Sequence, residues 1–125
     1  MALQKLTILY DPACALCQRA RGWLIAQPQY VRLEFIAAGS DLARSRYPAL
    51  DHDSTLRDLT AIGDGGEVYW GAKAWLMSLW ALREYRERAL RWSTPERMPL
   101  ARRLVAWVSR YRHTFDAMVS PGRPR

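Results

Sequence analysis

Two residues, Cys14 and Cys17, are the only thiols in a chain of 125 residues, and they stand three positions apart as Cys14-Ala15-Leu16-Cys17. A bridge closing so short a loop adds little to stability, so the pair is not a structural staple. The spacing suits a dithiol that exchanges with a disulfide, a metal half-site, or an inert pair at a helix start. If Cys14 opens a helix, its sulfur meets unsatisfied backbone N–H groups and the positive end of the helix dipole, both of which favour thiolate. Cys17 then lies one turn deeper, within reach to attack a mixed disulfide formed on Cys14. On that geometry Cys14 is the expected nucleophile and Cys17 the resolving thiol. Asp11 has two readings: a proton acceptor for Cys17 during release, or the N-cap of the helix ahead of Pro12.

Such a pair works only if a strand delivers it to the start of a helix. Residues 5–10, Lys-Leu-Thr-Ile-Leu-Tyr, are rich in β-branched and aromatic types and stop at Asp11-Pro12, which predicts a buried strand. From Ala13, Leu16, Ala20, Trp23 and Leu24 recur at helical spacing to about Ala26, and Pro28 stops the run. Residues 31–37 alternate and then turn apolar, predicting a second strand and hence a β-α-β unit with parallel strands. A short helix is expected between Gly39 and Pro48. Residues 55–62 and 67–70 flank Gly63-Asp64-Gly65-Gly66 and are expected as the third and fourth strands of a hairpin.

Residues 72 to about 85 carry Trp75, Leu76, Leu79, Trp80 and Leu82 on a broad apolar helix face. A last long helix is expected from Met98 or Pro99, with Leu100, Leu104, Trp107, Val108, Tyr111 and Phe115 as its core stripe. The fold class is therefore α/β, with a four-stranded mixed sheet, packed helices and a C-terminal helical extension. One domain over 1–119 is expected, including basic helices from about 83, with 120–125 a flexible tail.

Half the residues are hydrophobic and a quarter charged, the mix of a folded domain and not of a disordered chain. Neither a leader-like start nor an apolar run of about 18 residues is visible, so a cytoplasmic protein is expected. The net charge of +7 is uneven: residues 1–82 hold 8 basic and 8 acidic side chains, residues 83–125 hold 11 and 4. That asymmetry admits a nucleic-acid or anionic-membrane surface on the C-terminal helices, and with it a noncatalytic adaptor as the rival function. Asp51-His52-Asp53 reads as a solvated turn and His113 as an exposed helix residue; with Cys14 and Cys17 they lack zinc-site spacing. Trp70, Trp75, Trp80, Trp92 and Trp107 are expected to pack, with an aromatic surface near the cysteines as the other reading.

Asp11 with Cys14 and Cys17, then Gly65-Gly66-Glu67-Val68-Tyr69 followed by Gly71 and a helical tail, resemble the DCC family of predicted thiol-disulfide oxidoreductases. The resemblance spans nearly the whole chain and implies a thioredoxin-like fold. It also implies thiol-disulfide exchange at Asp11, Cys14 and Cys17 with no bound cofactor. The partners implied are a disulfide-containing protein or small thiol substrate and an external reductant. Two positions depart from pattern: family members usually have Gly where this chain has Pro12, and thioredoxins proper place a proline before the third strand, where 51–59 has none.

Overall fold

The computed structural model describes residues 4–119, and the side chains of Ser109 and of 111–119 lie outside that description, as does the tail expected over 120–125. Chain order is β1 (Lys5–Tyr10), α1 (Ala15–Ala26), β2 (Arg32–Ala37), α2 (Asp41–Arg46), α3 (His52–Arg57), β3 (Thr60–Gly63), β4 (Val68–Trp70), α4 (Ala72–Trp80), α5 (Arg86–Trp92) and α6 (Met98–Val119). The sheet order is β2-β1-β3-β4. β1 pairs parallel with β2 and antiparallel with β3, and β4 closes the sheet as the second arm of a hairpin. The mixed α/β architecture is consistent with a thioredoxin-like fold.

β1 is central and covered on both faces, which is why its apolar run is nearly continuous. Leu6 and Ile8 pack on one face with Ala61, Ala74 and Ala81, the last two supplied by α4 and the turn that follows it. Leu9 packs on the other face with Ile36, Ala43 and Ile62, backed by Leu56 of α3. The hairpin turn is tied to the start of β1, because Asp64 Oδ2 accepts from the N–H groups of Gln4 and Lys5 at 2.8 and 3.0 Å. β1 therefore ends at a fixed place, and the cysteine turn begins there.

Four expectations are corrected. The third strand starts only at Thr60, since 52–57 form α3: Asp51 caps that helix by accepting from Asp53 and Ser54 N–H, and Thr55 Oγ1 donates to His52 O at 2.8 Å. The Asp51-His52-Asp53 turn is thus a helix start in which His52 is buried, its Nε2 set 2.9 Å from Tyr47 O. The helix expected to about 85 stops at Trp80, because Ala81 O accepts from Tyr30 and Val31 N–H, and Arg83 N–H donates to Pro28 O. These bonds stitch the chain to the α1–β2 connection before α5 begins.

The fourth concerns α6, which starts at Met98 as expected but turns a different face inward. Ala101 is buried and Val105 and Val108 half-buried, whereas Leu100, Leu104 and Trp107 are exposed. α6 settles on α1 and α4, with the small residue Ala101 on its buried side. Tyr111, His113 and Phe115 have side chains outside the described set. Of the tryptophans, Trp80 packs against the core around Leu6 and Ile8, Trp75 and Trp92 are half-buried, and Trp70 and Trp107 are exposed.

Candidate active site

Asp11-Pro12-Ala13-Cys14 forms a tight turn between β1 and α1. Cys14 N–H donates to Asp11 O at 3.2 Å, and Ala13 N–H donates to the Asp11 carboxylate Oδ1 at 3.0 Å. Pro12 fits the second position of such a turn, where its fixed negative φ is already correct and no N–H is needed. No residue other than glycine has positive φ among the described residues, so this turn runs without a left-handed backbone conformation.

Cys14 is the N-cap of α1. Its backbone is extended, and its Sγ accepts from Cys17 N–H at 3.2 Å. Asp11 therefore is not the cap; its carboxylate holds the turn instead. The cap bond aims a backbone donor at the Cys14 sulfur, which favours negative charge there, while burial opposes it: Cys14 is 0% exposed. Cys17 is half-buried.

Cys17 and Asp11 line a cavity of about 210 Å³ whose other walls include Leu16, Thr55, Asp58, Leu59, Trp75 and Val108. The walls come from the β1–α1 turn, α1, α3, the α3–β3 connection, α4 and α6. Asp58 and Leu59 occupy the segment before the third strand, where thioredoxins proper carry proline. Leu59 is fixed by its O, which accepts Gly71 N–H at 2.9 Å. Arg21, one helical turn beyond Cys17, stacks its guanidinium 5.3 Å from the Tyr10 ring centre.

A family model of the DCC1-like thiol-disulfide oxidoreductases matches residues 8–117. The chain belongs to that family. No curated protein matches it, and no solved structure does. Membership of the DCC1-like family supports a redox role and thiol or disulfide substrates, and it covers β1 through most of α6.

The structure brings all three residues singled out from sequence, Asp11, Cys14 and Cys17, to the junction of β1 and α1 in this DCC1-like chain, Asp11 and Cys14 on the turn and Cys17 in the first turn of the helix. Sequence reasoning did not find Thr55, Asp58, Leu59 or Val108 as walls; three of these lie in a stretch that reads as strand, and Val108 was assigned to a core stripe. Trp75 was visible as a candidate aromatic near the cysteines, and it does line the cavity. Among the described residues no group of three or more His, Cys, Asp or Glu side chains could hold a metal ion. None of the described helices is long and apolar enough to cross a membrane.

Proposed function

We propose that the protein carries out thiol-disulfide exchange with Cys14 as nucleophile and Cys17 as resolving thiol. The observation that supports it is the cap bond, in which Cys17 N–H donates to Cys14 Sγ at the start of α1. Cys14 thiolate attacks one sulfur of a substrate disulfide, forming a mixed disulfide and expelling the other sulfur as thiolate. Cys17 then gives up its proton, with Asp11 on the same cavity wall as acceptor, and attacks Cys14 Sγ. The substrate's second sulfur leaves, and Cys14 and Cys17 are joined. Two electrons have passed to the substrate. An external dithiol reductant, as a reducing compartment such as the cytoplasm supplies, restores the pair.

The burial of Cys14 favours a second reading of the order. Cys17 faces the cavity and Cys14 does not, so a substrate sulfur entering the cavity meets Cys17 first, unless the 11–14 turn opens. Trapping decides between the two. With a small disulfide in excess, Cys17→Ser should accumulate a mixed disulfide on Cys14, read by mass spectrometry after peptide cleavage, while Cys14→Ser turns over no substrate. A stable adduct on Cys17 in Cys14→Ser, with none on Cys14 in Cys17→Ser, reverses the order. If neither variant forms an adduct and the native chain reduces no disulfide, exchange is refuted.

A further inference from the structure

A second cavity, of about 270 Å³, lies among α4, α5 and α6 and shares the Trp75 wall with the one beside Cys17. Its lining is mostly apolar, with Leu79 of α4, Trp92 of α5 and Val105 of α6. These side chains, like Trp75, are only half-buried, because they face this space instead of one another. Walls of that kind hold water poorly. Two polar side chains interrupt them, Tyr85 and Arg88. The Arg88 guanidinium rests 5.5 Å from the Tyr85 ring centre. Among the described residues Arg88 pairs with no carboxylate, and no acidic residue lines the cavity.

We propose that this cavity binds a small free carboxylate with an unbranched apolar chain, its head on Arg88 and its chain between Trp75 and Trp92. Size and charge select that ligand. At the roughly 30 Å³ that one water takes in the liquid, the space holds about nine water-sized groups, which suits a chain of about eight to ten carbons. A helix, about 10 Å across, does not fit in it. Apolar walls with a few polar groups to fix orientation are the ordinary form of a small-molecule site, and a cation that pairs with no carboxylate favours an anionic head over a neutral one. The proposal is independent of exchange chemistry, since neither Cys14 nor Cys17 lines this cavity.

The test is titration calorimetry of the full chain with hexanoate, octanoate, decanoate and dodecanoate, and with octanol as the neutral control. Affinity should rise about four-fold for each methylene from hexanoate to decanoate and level off at dodecanoate, whose chain outruns the cavity. Arg88→Met should weaken octanoate about five-fold, the scale of one partly exposed charge pair, and leave octanol unchanged. Ala101→Leu, which fills the space from α6, should abolish decanoate binding while circular dichroism stays native. If that variant unfolds the chain, Val105→Phe is read instead. No saturable heat with decanoate up to about 1 mM, the weak end of specific binding, overturns the proposal. So does affinity that climbs undiminished to dodecanoate, octanol bound as tightly as octanoate, or binding that survives in the folded, filled variant.

Discussion

Glu34 gathers three donors around one oxygen. Its Oε1 accepts from Arg46 at 2.9 Å and Thr7 Oγ1 at 3.0 Å, with Lys5 Nζ at 3.8 Å. Burial alone would push this carboxyl up, but the hydrogen bonds from Arg46 and Thr7 and the charges of Arg46 and Lys5 together outweigh it and hold it below its ordinary 4.5. A depressed folded value adds stability that is complete above the unfolded value and fades as pH falls through the folded one. Glu34→Gln should therefore cost up to about 1 kcal/mol near neutral pH, the scale of a partly solvated pair, and the difference should vanish in strong acid. Urea midpoints at the two pH values check this. A gap that widens in acid would mean that the charge on Glu34 opposes folding. At this scale the sequence revealed which thiol opens the helix, because Asp11-Pro12 marks the turn and Cys14 follows it. It did not reveal that Cys14 is sealed, since burial depends on neighbours far along the chain.

Among the elements, those with one unambiguous period were readable and those with a shared pattern were not. β1, β2 and the glycine hairpin stand where the β-branched runs and turn residues put them. α3 was misread because Thr55, Leu59 and Ile62 also fit a strand, and only the Asp51 cap decides otherwise. Gly71 shows how one residue fixes an element's start. It precedes α4 with φ +57° and ψ −122°, a conformation that side chains with a Cβ seldom adopt, and its O accepts Trp75 N–H at 3.1 Å. A Cβ there would meet no atom within 4 Å, so the penalty of Gly71→Ala is backbone strain alone, about 1–3 kcal/mol. Gly22 in the middle of α1 also has open space around a built Cβ but needs no special backbone. Gly22→Ala should stabilise by about 0.5–1 kcal/mol. Thermal unfolding of the two variants should shift in opposite directions; parallel shifts would show that Gly71 holds no strain-bearing conformation.

For the molecule as a whole, the charge asymmetry was legible by counting, but the face that α6 turns inward was not. Period alone groups Leu100, Leu104, Trp107 and Val108 on one apolar side, and only contact with α1 and α4 shows that the packing face centres on Ala101 and Val105. That packing bears on whether α6 belongs to the same cooperative unit as the sheet, as a single domain would require. Ala101 is buried against an apolar cavity of about 270 Å³ shared with Trp75 and Leu79 of α4 and Trp92 of α5. Trp75 also walls the cavity beside Cys17, so loosening α6 should reach the thiol. A carboxylate at position 101 loses its hydration at a cost of about 1–3 kcal/mol, even with Arg88 on the cavity wall as a partner. If the chain is one unit, Ala101→Asp lowers a single urea transition by that amount, and circular dichroism and Cys17 alkylation report the same midpoint. If instead Cys17 becomes reactive well before the main loss of helix, α6 opens separately, and the cavity beside Cys17 is completed only while that helix is docked.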